Sequence, residues 1–428
     1  MKLAFLLSIA ALAVAAPTIH KREKAFDWDY ENDKIHGVNL GGWFLLEPYI
    51  TPSLFDAFEP GEIPVDDYHY HQFLGKDEAK RRLEHHWDTW YQESDFEEMA
   101  NAGINTVRIP IGYWAYGLLP DDPYVQGQDF YLERALGWAR NHGINAWIDL
   151  HGVPGSQNGG TSSGKRGSYE SSDEFRESLG YQRYENVALT LTVLQKIFDK
   201  YGGPEFEDVI SGIQFMNEPL GPASDMTFLK NFYTWAYGNM RFMNGISYNN
   251  VILSDAFQEE ASYWDDFMTL EQGYWDVVLD HHHYRWRTPE DLAMSIDEHM
   301  EVACENGRQH MNEYHWNVVG EWSGAMTDCA RWLNGVGHGS RWTGEFNNPE
   351  KIGTCEPYTQ VDQWTDEHRK NLRRFIEGQI DAYSTASGWL FWNWKTENAI
   401  EWSMSDLIKE GVFPQPFDDR QFPPQCVF

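Results

Sequence analysis

Two glutamates stand directly after short apolar runs, where a side chain can reach solvent from the end of a strand. Glu218 ends the segment Gly-Ile-Gln-Phe-Met-Asn-Glu, and Glu321 ends the segment Val-Val-Gly-Glu. Two carboxyl groups that flank one bond are what glycoside hydrolysis uses, because one protonates the leaving oxygen while the other attacks, or activates water at, the anomeric carbon. The pair therefore indicates glycoside hydrolysis, if the fold brings the two side chains together.

Other polar and aromatic side chains that follow apolar runs suit the same chemistry. Arg108 is always charged and can hold Glu321 in its ionised form. Asn217 directly precedes Glu218 and can hydrogen-bond a sugar hydroxyl. Trp392 is interpreted as the flat floor under the sugar at the cleavage point, since an indole stacks on the C–H face of a pyranose. Trp389 is interpreted as a core residue.

A run of histidines at 281–283, followed by Tyr284, has the composition of a metal site. Strand alternation places His282 and Tyr284 on one face and the two other histidines on the opposite face. Two groups on one face are too few for a catalytic metal, which takes three protein ligands and a water. We therefore expect neither metal nor cofactor, and interpret His282 and Tyr284 as hydrogen-bond partners near Glu321.

Eight extended apolar runs along the chain each predict a strand. They lie at residues 35–40, 106–109, 146–150, 210–216, 251–253, 277–279, 317–319 and 389–391. Between most of them are longer segments with helical spacing of apolar residues, at 130–141, 187–201, 228–243, 291–304 and 367–383. This alternation predicts a single α/β domain, a (β/α)8 TIM barrel, rather than an open sheet.

In such a barrel the catalytic groups sit at the C-terminal ends of the strands. The residues at these positions are nearly all polar or ionisable: Asn39, Arg108, Asp149 with His151, Asn217 with Glu218, Asp255, His282 with Tyr284, Glu321 and Trp392. Glu218 and Glu321 end the fourth and seventh predicted strands, so we expect them to face each other across the barrel mouth.

Composition narrows the class of ligand. The chain has 428 residues with 20 Trp, 22 Tyr and 24 Phe, which supplies ample material for a core and for stacking on ring-shaped ligands. Its 66 acidic and 33 basic residues give a net charge of −33. Because such a surface repels polyphosphates, nucleic acid and anionic membranes are excluded as expected partners, and a neutral substrate is favoured.

The N-terminus has the pattern of a secretory signal peptide over residues 1–16, with an apolar run from 3 to 14 that ends in small residues. Lys21 and Arg22 form a dibasic pair, so we expect a short propeptide over 17–22. No later segment has about 18 consecutive apolar residues. We therefore expect one secreted, extracellular domain over 23–428, monomeric and without membrane contact.

The four cysteines are Cys304, Cys329, Cys355 and Cys426, and none belongs to a C-x-x-C pair that would indicate a structural zinc site. An even number in a secreted chain indicates two disulfides, for which three pairings are possible. Among these we favour Cys329 with Cys355, closing a loop, and Cys304 with Cys426, fixing the C-terminus to the body of the domain.

Several short motifs follow one another along the chain. They are Arg108 after the second strand, Asn-Glu-Pro at 217–219, His-x-Tyr at 282–284 and Gly-Glu-Trp at 320–322, with further segments at 37–43, 46–53, 149–152, 155–159, 255–258 and 394–398. Together they resemble glycoside hydrolase family 5, and more narrowly the secreted yeast exo-β-1,3-glucanases. The likeness extends from about residue 26 to 428, and the cysteines fall where that family has them.

The resemblance implies a retaining hydrolase that releases glucose from the non-reducing ends of β-1,3-glucan, with transfer to other sugars as a side reaction. Glu218 would be the acid/base, protonated at the start of the cycle, and Glu321 the ionised nucleophile, with the two carboxyl groups about 5–5.5 Å apart. Activity would then be bell-shaped in pH, with an acidic optimum. The implied sugar-binding residues are Glu47, Arg108, His151, Asn158, Asn217, His282, Tyr284 and Trp392.

Two positions depart from that family. Gly160 and Arg287 stand where two aromatic residues usually clamp the leaving glucose, and Trp286 can replace only part of that clamp. We therefore expect altered selection on the leaving-group side, with β-1,6 links, branched glucans or aryl glucosides accepted, or endo action. Two alternatives stay open: an endo-acting glucanase or mannanase on the same scaffold, and a non-catalytic protein that binds cell-wall glucan.

Overall fold

The computed structural model describes residues 28–30, 32–167, 172–243, 247–347 and 350–428. The predicted signal peptide (1–16) and propeptide (17–22) lie outside the described residues. Eight parallel strands pair in sequence order, and the eighth pairs with the first to close a barrel. The strands are β1 (Ile35–Asn39), β2 (Thr106–Gly112), β3 (Asn145–Gly152), β4 (Ile210–Gln214), β5 (Asn250–Ser254), β6 (Val277–His283), β7 (Trp316–Trp322) and β8 (Gly388–Phe391).

The α-helices surround this barrel. Those of the described residues are α1 (Pro52–Asp56), α2 (Asp67–Thr89), α3 (Glu93–Asn101), α4 (Gln128–Asn141), α5 (Ser172–Ser178), α6 (Tyr184–Tyr201), α7 (Met226–Phe242), α8 (Pro289–Ala293), α9 (Ile296–His310), α10 (Glu356–Thr359), α11 (Asp366–Tyr383) and α12 (Met404–Lys409). None of these helices is long and apolar enough to cross a membrane. The predicted (β/α)8 barrel is confirmed.

The predicted segments differ from the observed ones mainly at their ends. The fourth strand was expected to reach residue 216 but ends at Gln214, because the chain turns there toward Glu218. The helix predicted at 291–304 is two helices, since the backbone of Met294 is extended and Ser295 begins α9 with a capping box. Local capping therefore overrides the continuous helical spacing of apolar residues.

The core has an inner and an outer layer. Inside the barrel, at the end away from the C-terminal strand ends, large apolar side chains of successive strands pack together, among them Trp147, Ile252, Val278, Val318 and Leu390. Between the strands and the helices lies a larger cluster that includes Trp389, which is fully buried beside Phe413 and Phe417. The prediction that Trp389 is a core residue is confirmed. Because both faces of each strand are covered, the strands read as nearly continuous apolar runs.

Both favoured disulfides are confirmed. Cys304 on α9 pairs with Cys426 near the C-terminus, and Cys329 pairs with Cys355 in the region between β7 and α11. The first links positions 122 residues apart and holds the C-terminal segment against α9.

Candidate active site

A cavity of about 680 Å³ opens at the C-terminal ends of the strands, and we call it the mouth cavity. Its volume is that of a small-ligand site. Seven of the predicted site residues line it: Glu47, His151, Asn158, Glu218, Tyr284, Glu321 and Trp392. They come from six different strands or the loops after them, so the barrel brings together side chains that are far apart in sequence.

The two glutamates meet across this cavity. One carboxylate oxygen of Glu218, one of Glu321 and a ring nitrogen of His282 all lie within 4.8 Å of one another. His282 Nδ1 is 2.8 Å from Glu218 Oε1 and 3.4 Å from Glu321 Oε2. This approach of one oxygen from each group is compatible with the separation of about 5–5.5 Å between the carboxyl groups of a retaining hydrolase.

Backbone geometry places both glutamates. After β4 the amide of Asn217 donates to the carbonyl of Leu150 at the end of β3, and Glu218 follows with a φ of 41°, in the left-handed region. A non-glycine residue is strained there, which is common at catalytic sites. In β7 the register against β6 shifts so that Glu321 pairs with His282. Gly320 permits this, because a Cβ atom at that position would collide with the Asp280 carboxylate.

Arg108 is fully buried and holds Glu321 from below. Its Nη1 donates to Glu321 Oε1 at 2.8 Å and to Asn39 Oδ1 at 2.9 Å. Its Nη2 donates to Asn217 Oδ1 at 2.6 Å and lies 3.1 Å from Asp149. The predicted ion pair of Arg108 with Glu321 is confirmed, and the same guanidinium fixes the residue that precedes Glu218.

The remaining oxygen of Glu321 accepts a hydrogen bond from the Tyr284 hydroxyl at 2.9 Å. Each carboxylate oxygen of Glu321 therefore has its own donor, which fixes the plane of the group. The Trp392 indole stacks on the His151 ring and donates from Nε1 to the Tyr49 hydroxyl at 2.5 Å. The indole is thus held in one orientation along the cavity wall.

Three predicted sugar-binding residues do not line the mouth cavity. Arg108, Asn217 and His282 are buried, and their polar groups contact the two glutamates or each other. Their contact with the sugar stays a prediction, and in this structure they position the two glutamates. Asp255 also differs from expectation, since it bonds His281 outside the barrel.

Two residues with a clear place in the site were missed. Asp280 is fully buried and its Oδ2 lies 3.0 Å from His282 Nε2, which fixes that ring from behind. Gln214 donates to Asp280 and accepts from Arg108, so it links both halves of the network. Strand alternation was a usable signal, because residues 280 and 282 of β6 share a face.

The neighbours of the two glutamates separate their pKa values. Burial raises the pKa of Glu218, but the hydrogen bond and charge of His282 outweigh burial and, with Arg287, lower it to about 2. Burial and the Glu218 charge raise the pKa of Glu321 above its ordinary value, despite nearby cations. Although burial lowers the pKa of His282, Glu321 and Asp280 raise it well above 6.5.

This order is the reverse of the predicted one, in which Glu218 holds the proton and Glu321 is ionised. The reason is the position of His282, whose Nδ1 lies 2.8 Å from Glu218 Oε1 and whose pKa is raised well above 6.5. His282 therefore lies within hydrogen-bond reach of Glu218 as a possible source of its proton.

The outer part of the mouth cavity contains the two departures from the expected motif. Gly160 lines it without a side chain, next to Thr161 and Ser162. Arg287 lines it with a half-exposed guanidinium that lies 3.6 Å from Glu218 Oε1. The wall opposite the strands is built from residues 333–347, which carried no recognisable motif.

Sequence comparison agrees with this geometry. Residues 73–257 match the family described as Cellulase (glycosyl hydrolase family 5). A protein of Schwanniomyces occidentalis named glucan 1,3-beta-glucosidase is 55% identical over 425 residues, covering 98% of this chain and 97% of that relative. The chain belongs to glycosyl hydrolase family 5. The predicted family and the prediction of a glycoside hydrolase are both confirmed.

Two further matches cover most of the chain. A Candida oleophila protein, also named glucan 1,3-beta-glucosidase, is 53% identical over 97% of this chain and 96% of its own length. Among solved structures, rutinosidase from Aspergillus niger matches with a TM-score of 0.67 and 19% identity, covering 90% of this chain and 99% of that one. At that identity the structural match shows the shared barrel fold alone.

Proposed function

We propose that this family 5 hydrolase releases glucose from the non-reducing ends of β-1,3-glucan by a retaining mechanism. The observation that carries the proposal is the close approach of Glu218 and Glu321 across the mouth cavity, within reach of one anomeric carbon. The relatives named glucan 1,3-beta-glucosidase, which match over nearly their full length, support the substrate.

In the first step an oxygen of Glu321 attacks the anomeric carbon while the bond to the leaving oxygen breaks. Glu218 gives its proton to that oxygen, so the leaving sugar departs as an alcohol and a glycosyl-enzyme ester remains. In the second step the Glu218 carboxylate takes a proton from water, whose oxygen attacks the same carbon and releases Glu321. A sugar hydroxyl in place of water gives transglycosylation.

His282 supplies the proton in this scheme. In this scheme His282 begins the cycle as the imidazolium, with Nδ1 2.8 Å from Glu218 Oε1 and Nε2 facing the Asp280 carboxylate. Transfer to Glu218 moves no heavy atom and leaves a neutral imidazole that still donates from Nε2 to Asp280. Glu321 then faces Arg108 and Tyr284 as the remaining anion, which is the form a nucleophile needs.

Exo action is favoured by the inner end of the cavity. Glu47, Tyr49 and Trp392 line it together, and all three side chains are buried. A terminal glucose stacked on Trp392 would present its hydroxyls to the Glu47 carboxyl, which leaves no path for a chain that continues beyond it. Product analysis on laminarin tests this directly: glucose from the first time point supports exo action, and early oligosaccharides contradict it.

This chain is expected to differ from the related glucanases in the glycosidic linkages that it accepts. Gly160 and Arg287 replace an aromatic clamp, so the leaving sugar is held less tightly and β-1,6 links or aryl glucosides become acceptable substrates. Comparable kcat/KM on laminarin and pustulan supports this relaxed selection. A strict preference for laminarin argues against it.

We also propose secretion as a monomer into the cell-wall space, after removal of residues 1–16 and of a propeptide that ends at Arg22. Two disulfides support an oxidising compartment. N-terminal sequencing of the secreted protein tests the cleavage sites, and a start at Ala16 or Pro17 contradicts the second cut.

A non-catalytic binding role is disfavoured because both glutamates are present.

A further inference from the structure

The mouth cavity has an unusual charge distribution for so acidic a chain. Acidic residues outnumber basic ones 66 to 33 in the sequence. Yet among the described residues that line the cavity, the carboxylates are the three inner glutamates, and the other formally charged side chains are Arg166, Arg287 and Arg341. Arg341 is paired with the buried Asp328, and Arg287 is the cation that lies beside Glu218.

Arg287 is the arginine nearest the reacting groups. Its guanidinium lies 5.4–5.6 Å from the ring centres of Phe257, Tyr284 and Trp286, which is cation–π geometry on three sides. Its side chain is 47% exposed, and Glu218 is the carboxylate within 4.0 Å of it in the described part of the chain. The cation is thus held in place by rings and is open toward the cavity.

Catalysis removes the partner of this cation. Glu218 is also faced by His282 from β6, His151 from β3 and Glu321 from β7. When the proton moves from His282 to Glu218, the carboxyl becomes neutral and Arg287 loses its anionic neighbour. An anionic group on the leaving side would take that place at the moment when the acid is protonated.

We propose that Arg287 forms a cationic subsite that favours leaving groups with an anionic substituent, such as a carboxylate, on β-glucosides. The inference rests on the proposed glucosidase function and names a substrate class for it. A neutral sugar gains no charge interaction with Arg287, whereas a carboxylate placed beside it gains an ion pair at a half-exposed site. We expect such an ion pair to raise kcat/KM by about threefold to tenfold.

The test compares two aryl β-glucosides of similar shape, with 3-carboxyphenyl and 3-carbamoylphenyl leaving groups. The ratio of their kcat/KM values is measured in the wild type, Arg287→Met and Arg287→Lys, so intrinsic leaving-group reactivity cancels between variants. Arg331→Met is the matched control, because Arg331 is also half-exposed, pairs with Asp56 and lies over Trp332, but does not line the cavity.

The expected result is a ratio that falls about threefold to tenfold in Arg287→Met, is largely kept in Arg287→Lys and is unchanged in Arg331→Met. In the wild type, added salt at about 0.5 M should lower the ratio toward the Arg287→Met value, which tests the subsite without any substitution. An unchanged ratio in Arg287→Met, or a salt-independent ratio in the wild type, overturns the subsite alone. If the wild type releases glucose from laminarin but hydrolyses neither glycoside, the subsite fails alone. If it hydrolyses none of the three substrates, the proposed glucosidase function fails, and the subsite with it.

Discussion

Strand β6 carries clusters of histidine and carboxylate side chains on both of its faces. On the inner face, His282 lies between Glu218 and Glu321, at 2.8 and 3.4 Å. On the outer face, toward α9, His281 lies 2.9 Å from Glu313. Both clusters are buried, both contain the same types of group, and both show large pKa shifts.

The clusters differ in access and in charge balance. Glu218 and Glu321 line the mouth cavity, whereas the outer cluster is packed under α9 and does not contribute to it. His281 is also paired with Asp255 at 2.8 Å, so its positive charge is held between two carboxylates. Burial and shifted pKa values alone therefore do not identify a catalytic group. A cavity that brings substrate to the group is the additional requirement.

The largest effect is expected from Glu321→Gln, which removes the nucleophile of the inner cluster. We expect kcat to fall by about four orders of magnitude or more, because no covalent intermediate can form. Substrate binding should be retained, since the amide keeps the size of the carboxylate. Steady-state rates on laminarin and circular dichroism measure activity and fold, and comparable turnover by this variant would remove the assignment.

The next largest effect is expected from Glu218→Ala. We expect kcat to fall by about a hundredfold to ten-thousandfold on substrates with poor leaving groups. On an activated aryl glucoside the first step needs little acid, so the glycosyl-enzyme should accumulate and azide should restore turnover. The product should be β-glucosyl azide, identified by NMR. The α-anomer as product would instead assign the nucleophile to Glu218.

His282→Asn should have a smaller effect, about tenfold to a hundredfold in kcat, because it misplaces Glu218 rather than deleting it. His282 keeps the shared proton in the site to a pH well above 6.5, so in the variant the alkaline limb of the pH–rate profile should move to lower pH. The acidic limb, where Glu321 becomes protonated, should stay. His281→Asn is the matched control on the outer face and should leave both limbs in place.

Glu313→Gln should leave kcat unchanged and lower the free energy of unfolding by about 3 kcal/mol, since it breaks a buried ion pair. Although burial raises the pKa of Glu313, His281 lowers it to about 2. The ionised Glu313 therefore contributes to the free energy of unfolding above pH 4.5, and this contribution is lost as the pH falls toward 2. Although burial lowers the pKa of His281, Glu313 and Asp255 raise it to about 10. The protonated His281 therefore contributes to the free energy of unfolding below pH 6.5, and this contribution is lost as the pH rises from 6.5 toward 10.

The difference in unfolding free energy between wild type and Glu313→Gln should therefore be largest between pH 4.5 and 6.5, measured by urea unfolding. Asp297→Asn is the control. Because Asp297 forms an exposed ion pair with Arg374, this substitution should lower the free energy of unfolding by about 1 kcal/mol at most. A pH-independent difference would show that the outer cluster is not held by these charges.

The sequence predicts the inner face of β6 well. Alternation assigns His282 and Tyr284 to one face and the neighbouring histidines to the other, and Tyr284 does reach Glu321. It also predicts that Glu218 and Glu321 meet at the barrel mouth, although β4 ends at Gln214 before Glu218. These predictions succeed because strand period and barrel topology leave little freedom to side chains within β6 and β7.

The outer face and the rim could not be predicted, for physical reasons. Asp255 was expected at the cavity, but Ala256 and Phe257 both adopt positive φ, and the chain places Phe257 there instead. Nothing in an Ala-Phe pair signals a left-handed turn. Glu313 reaches His281 from a loop after α9, and loop contacts have no sequence period.

The stereochemistry of the first product tests the central claim, that Glu218 and Glu321 act on one anomeric carbon in two successive displacements. Proton NMR of a fresh laminarin digest separates α- and β-glucose before mutarotation. Retention predicts that β-glucose forms first and that the α-anomer appears only slowly afterwards. Initial formation of α-glucose would mean a single displacement by water and would contradict the account.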